Sequence, residues 1–134
     1  MATTAVIYST GMTKNTKKLG DYIASKIGAD RFNLKDITKI DISGYDRIIF
    51  GTGVHAGKPY KEVKEFIDAN KDALAGKTLK LFISCMYKDE KGNKQCKAIS
   101  EQFGIPDAVY FNKKAEEMNE AGFPKAVDDY IAKL

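Results

Sequence analysis

At 134 residues, 43% of them hydrophobic and 30% charged, the chain is long enough to bury one ordinary core and too short for two. Its 22 basic and 18 acidic residues are interleaved rather than gathered in blocks, so a net charge of +4 makes no case for nucleic acid as a partner. No apolar run reaches membrane-spanning length, no signal-like segment opens "MATTAVIYST", and Cys85 and Cys96 fall inside periodic segments. The expectation is a single domain over residues 1–134, reduced and cytoplasmic, with no membrane span.

The first apolar run, residues 4–8, reads as a strand that stops at Ser9. The stretch "STGMTKNT", residues 9–16, then precedes a helical pattern of Leu19, Ile23 and Ile27 closed by Gly28. Residues 30–34 and 47–51 read as further strands, the second followed by a glycine-rich loop over 52–58. Pro59 is expected in the first turn of a helix carrying Val63, Phe66, Ile67 and Leu74, with Gly76 past its end. A strand over 78–85 leads into a loop over 86–93 and a helix marked by Cys96, Ile99 and Phe103, closed by Gly104. The last strand is expected over 108–111, and Pro124 opens a fourth helix with Val127, Tyr130, Ile131 and Leu134.

Strands alternating with helices imply right-handed crossovers and a parallel α/β sheet covered on both faces, here of five strands. That accounts for the unbroken apolar runs "RIIFG" and "LKLFISC". Such a sheet commonly takes the order 2-1-3-4-5, and ligands bind beyond the carboxyl ends of its strands, where the chain reverses direction. The loops after the first, third and fourth strands are the ones this nominates.

The first of these has the chemistry of a phosphate cradle. Ser9, Thr10, Thr13 and Thr16 offer hydroxyl donors, Gly11 permits close or left-handed backbone, and Asn15 is placed either to cap the helix or to hold the loop closed. Helix N-termini favour anions, and Lys14, Lys17 and Lys18 add positive charge. Hydroxyls and amides serve any helix cap, so the placement at the first strand–helix junction carries the argument. The loop is neither a Walker loop, lacking a terminal Gly-Lys-Ser/Thr, nor a "GxGxxG" dinucleotide fingerprint. A phosphoacceptor receiver domain is disfavoured too, because no acidic pair follows the first strand.

Through "VIYSTGMTKNTKKLGDYIASKIG", "YDRIIFGTGVHAGKPYKEVKEFI" and "KLFISCMY" the chain resembles the flavodoxin family over nearly its whole length. The likeness is nearest to the small flavodoxin-like branch that includes menaquinone-dependent protoporphyrinogen oxidase. It implies a flavodoxin-like three-layer sandwich that binds flavin mononucleotide (FMN), with the phosphate in the first loop. In that family the loop runs from a Ser or Thr to a Gly-x-Thr that opens the helix. Ser9 and Thr16 fit its two ends, and Lys14 stands where glycine is usual. Alternatively "TGMT", Thr10 through Met12 to Thr13, is itself the motif.

The resemblance also implies that Thr52, Gly53, Val54, His55, Ala56 and Gly57 approach the flavin ring. There Gly53 and Gly57 would let a peptide reorient with oxidation state; tight turns alone would equally explain them. His55, the only histidine, is placed to donate near the ring. Tyr87 is the candidate to stack on the ring, with Met86 and Cys85 at the pocket edge, while Cys96 reads as a small side chain of a helix face. No residue is assigned a catalytic role and no metal site is expected.

So short a chain favours an electron carrier over an enzyme with its own substrate. It also lacks the long basic insertion and extended tail associated with protoporphyrinogen oxidase. A small FMN-dependent oxidoreductase and a flavin-free phosphate-ligand or partner-binding module remain the alternatives. Carriers of this kind are typically acidic, so the positive charge here points to redox partner proteins with an acidic docking face. The expected state is a monomer or weak dimer.

Overall fold

The computed structural model describes residues 3–11, 14–37, 39–55, 58–85, 89–112, 120 and 122–134, with backbone alone at 55, 85, 89 and 112. The strands are β1 (Thr4–Tyr8), β2 (Asp30–Asn33), β3 (Arg47–His55), β4 (Lys58–Pro59), β5 (Thr78–Cys85) and β6 (Ala108–Asn112). The helices are α1 (Asn15–Ile27), α2 (Lys61–Ala69), α3 (Lys71–Leu74), α4 (Asp89–Phe103) and α5 (Lys125–Ala132).

Five strands run parallel in the order β2-β1-β3-β5-β6, the predicted 2-1-3-4-5, and the short β4 pairs antiparallel with β3. Alternation along each strand builds two cores, because successive side chains leave opposite faces. Ala5, Ile7, Ile48, Phe50, Leu81 and Ile83 face α2, α3 and α4, packing on Val63, Phe66, Leu74, Ile99 and Phe103. Val6, Tyr8, Ile49, Phe82 and Phe111 face α1 and α5, packing on Leu19, Ile23, Val127 and Tyr130. Helices on both faces and a reversal between β1 and β3 make the flavodoxin-like sandwich. Among the described residues no helix is long and apolar enough to cross a membrane.

The punctuation glycines do what their positions predict. Gly28, Gly76 and Gly104 lie just past helix ends with φ of 68°, 83° and 71°, values that suit a residue without Cβ.

Five expectations are corrected. Thr52, Gly53, Val54 and His55 are not loop but the carboxyl half of β3. Thr52 and Gly53 pair with Ile83 and Ser84, and Val54 and His55 with Pro59 and Lys58. Backbone pairing on both sides overrides the weak strand preference of glycine. Pro59 lies in β4, at a sheet edge where a missing N–H is tolerated, and α2 starts after it at Lys61; Pro124 is likewise the N-cap of α5, not a residue of its first turn. The helix expected to run through Leu74 breaks at Asn70, whose side-chain amide donates to the Phe66 carbonyl at 2.8 Å and takes the place of continued helix bonding. The loop expected to last to residue 93 ends where α4 begins, at Asp89.

Candidate functional site

Loop one leaves the buried strand β1 at Ser9, whose N–H donates to the Gly51 carbonyl at 3.3 Å and ties the loop to β3. It tightens where the Lys14 N–H donates to the Gly11 carbonyl at 3.2 Å, and α1 begins at the next residue. The helix is clamped to the strand beneath it. Gly20 lies so close over Tyr8 that a Cβ there would stand 2.6 Å from the ring. The Tyr8 hydroxyl then donates to Asp21 Oδ1 at 2.7 Å. Burial, followed by this bond, raises the Tyr8 hydroxyl well above its ordinary pKa.

Asn15 does not cap α1; it is the first helical residue. The N-cap is Lys14, in the left-handed region at φ 58° and ψ 19°, and it makes no side-chain cap bond. The first-turn N–H groups of α1 are thus left without the side-chain acceptor that helices usually supply.

Loop one and the first turn of α1 also carry three buried hydroxyls without a partner among the described residues: Ser9 Oγ, Thr10 Oγ1 and Thr16 Oγ1. Ser9 and Thr16 are 0% and 1% exposed. A buried polar group with no partner costs about 1–3 kcal/mol, so such groups are rare in native proteins and rarer still in clusters. Thr52 shows what a hydroxyl does here when its role is internal. It donates to the Gly53 carbonyl and accepts from the Tyr60 N–H, both at 2.9 Å, and so locks the end of β3 to the start of α2.

Electrostatics favour an anion in the cradle. The first turn of α1 carries no acid. Asp21, one turn further on, is held by Lys17 at 2.7 Å and Arg31 at 3.7 Å as well as by Tyr8. Burial alone would raise its pKa, but the Lys17 and Tyr8 hydrogen bonds bring it below the ordinary carboxylate value. Its charge is therefore balanced locally. Lys14 and Lys18 are exposed and make no ion pair among the described residues.

The opposite wall is Tyr60, which sequence reasoning missed. A Cβ on Gly11 would lie 2.5 Å from its hydroxyl oxygen, and one on Gly53 would collide with the same phenol. The Tyr60 ring therefore bridges loop one and the end of β3, seated where both lack side chains. Only the spatial approach of the two glycines reveals it. Gly53, read as a hinge for a flavin-facing peptide, has this second reason to be glycine.

Val54 continues β3 against Pro59, and the His55 backbone pairs with Lys58. Met12, Thr13, Ala56, Gly57, Met86 and Tyr87 lie outside the described residues, as do the side chains of His55 and Cys85. Cys96 is half-buried on α4 and packs against the core beneath it. Loop one and the end of β3 are thus together at the carboxyl edge. Hydroxyl donors and a helix N-terminus, with exposed lysines that make no ion pair among the described residues, suit a phosphate group.

Comparisons with known proteins agree with the fold. A family model described as a flavodoxin domain matches residues 5–121. An uncharacterised protein of Methanocaldococcus jannaschii is 32% identical over 94 residues, covering 66% of this chain and 63% of that protein. The chain thus spans less than two thirds of the length of the curated relative it matches. Among solved structures, oxidised flavodoxin 2 of Bacillus cereus superposes with a TM-score of 0.69 at 19% identity, covering 96% of this chain and 95% of that one. The flavodoxin of Fusobacterium nucleatum, bound to flavin mononucleotide, gives a TM-score of 0.61 at 18% identity over 99% and 96%.

Proposed function

The chain belongs to the flavodoxin family, and on that premise we propose that it binds FMN and passes electrons to partner proteins. One observation carries the reading: Ser9, Thr10 and Thr16 bury hydroxyls that nothing among the described residues satisfies, near the N-terminus of α1. A phosphate ester supplies the missing acceptors, three oxygens for three donors together with the open helix N–H groups. The FMN seen in the Fusobacterium nucleatum flavodoxin supports the same ligand here.

Bound FMN would supply redox chemistry, taking up and releasing electrons. The residues of the chain bind and orient it. Loop one holds the phosphate end, and the end of β3 with Tyr60 lines the path from the cradle toward the ends of the central strands. Exposed Lys14 and Lys18 beside the cradle, with a net charge of +4, suit a redox partner with an acidic face, docking faster at low ionic strength.

Titration of the protein with FMN and with riboflavin, followed by quenching of flavin fluorescence, tests the reading. Saturable binding of FMN is expected, with Ser9→Ala and Thr16→Val each weakening FMN by roughly tenfold and leaving riboflavin unchanged, the worth of one charge-assisted hydrogen bond. Equal losses for both flavins would remove the phosphate from loop one, and no binding at all would overturn FMN as the ligand.

A further inference from the structure

Lys14 is the only non-glycine among the described residues with a positive φ. The left-handed conformation is unfavourable for a residue with a Cβ by about 1–2 kcal/mol, and glycine would adopt it freely. A lysine held there, at the mouth of a ligand cradle, is strain stored at a functional position and calls for a compensating role of the side chain. Its ammonium has no ion pair among the described residues, whereas Lys17, on the same turn, is committed to Asp21 at 2.7 Å. Independently, the Ser9 and Thr16 hydroxyls, 0% and 1% exposed and without partners among the described residues, mark loop one as a place for a ligand oxygen.

We propose that Lys14 is the charge-selecting residue of the cradle, pairing with the second negative charge of a phosphomonoester, so that the site prefers a terminal phosphate dianion to a monoanionic diester or an uncharged ligand. The inference rests on the reading of loop one as a phosphate site and adds which phosphate it takes. Hydroxyls and helix N–H groups accept either charge state, since they donate to any phosphate oxygen. A flexible ammonium distinguishes the two, because its attraction scales with the charge it meets. The turn closed by the Gly11–Lys14 hydrogen bond at 3.2 Å fixes the lysine backbone next to the first-turn N–H groups of α1, within a side chain's reach of the same oxygens.

Thermal shift with inorganic phosphate at pH 7.5, against sodium chloride of matched ionic strength, tests this without a flavin, and FMN, riboflavin and FAD titrations follow on the same proteins. Lys14→Arg keeps the charge, Lys14→Met removes it, and Lys14→Gly removes the charge while relieving the backbone. Wild type and Lys14→Arg are expected to gain stability with phosphate. Lys14→Met and Lys14→Gly are expected to need roughly three- to tenfold more phosphate for the same shift, the range of a partly exposed charge at a helix end. The wild-type advantage is expected to shrink at pH 5.5, where inorganic phosphate lies well below its second pKa and is almost wholly a monoanion. The FMN preference over FAD and riboflavin should fall by the same factor in both uncharged variants.

A Lys14→Met protein that responds to phosphate as wild type does, with an unchanged FMN preference, overturns the proposal. Lys14→Gly guards against a folding defect, because it removes the strain along with the charge. Wild type that is shifted by phosphate, more than Lys14→Met, but does not bind FMN would overturn FMN as the ligand and support the role of Lys14. No response of wild type to phosphate or FMN overturns both.

Discussion

The two ends of the sheet treat their polar groups in opposite ways. At the amino end several polar side chains are held by partners, the Tyr130 hydroxyl near Arg47 and Asp107 being an exception. Arg47 donates from Nε to Thr4 Oγ1 at 3.1 Å and from Nη1 to the Leu134 carbonyl at 2.8 Å, and Lys80 meets Asp107 at 2.6 Å. At the carboxyl end the buried hydroxyls of Ser9, Thr10 and Thr16 have no partner among the described residues. Both ends belong to the same strands and the same cores, so fold stability alone would have satisfied both. The first set holds the fold together, and the second carries a local cost that, on the function proposed above, a bound anion would remove.

The largest effect expected comes from a residue between the two ends. Gly51 in β3 has no room for a Cβ, which would run into the ring of Phe82, itself fully buried between the strand and the helices. Gly51→Ala is expected to destabilise the protein by about 1–3 kcal/mol, the usual result of overpacking. In chemical denaturation this lowers the midpoint; an unchanged midpoint would mean that the Phe82 ring makes way for the added methyl.

Paired substitutions of one residue type come next. Thr4→Val removes the acceptor for Arg47 and is expected to lower stability by about 1 kcal/mol in urea unfolding. Thr16→Val removes a hydroxyl that has no partner and is expected to leave the stability of the free protein equal or slightly higher. Addition of FMN should reverse the order of Thr16→Val and wild type, because only the wild type gains the ligand's full binding energy. Equal destabilisation by both substitutions in the free protein would erase the contrast between the ends.

How much of this was legible in the sequence follows from the range of the forces involved. Apolar runs and helical spacing are local, and they located the five parallel strands, the helices that flank them and the end of the sheet where loop one lies. Gly28, Gly76 and Gly104 announced left-handed helix ends because few other residues take that conformation readily. Lys14 takes it too, and nothing in the residue type announces that. The "TGVH" of β3 looked like loop because its glycines are weak strand formers, while the pairing that makes it strand comes from β5 and from β4 across the hairpin. Tyr60 escaped notice since its seat is formed by Gly11 and Gly53, distant in sequence and adjacent only after folding. The hydroxyls of loop one were legible as donors. Their lack of partners is a property of the packed structure, and it separates a ligand cradle from an ordinary helix cap.

The smallest effect tests whether an unpartnered hydroxyl always signals a ligand. The Tyr130 hydroxyl is also buried without a partner, but it is solitary, set against Phe111 in the core beneath α5. Burial, and then the charge of Asp107, raise its pKa above the ordinary 10.0, with Arg47 opposing. A raised folded-state pKa adds stability that is complete below the unfolded value and is lost as pH climbs past it. Wild type should therefore weaken above about pH 10. Tyr130→Phe is expected to match wild type or exceed it by less than about 1 kcal/mol at pH 7. In urea unfolding at pH 10.5 its margin should widen; some alkaline loss persists in both proteins, since burial and Asp21 hold Tyr8 un-ionised as well. FMN affinity should not change at either pH. Lower stability at pH 7 would mean that the tyrosine hydroxyl is satisfied after all, and that the convergence of the three in loop one, more than the solitude of any one hydroxyl, is what marks a site.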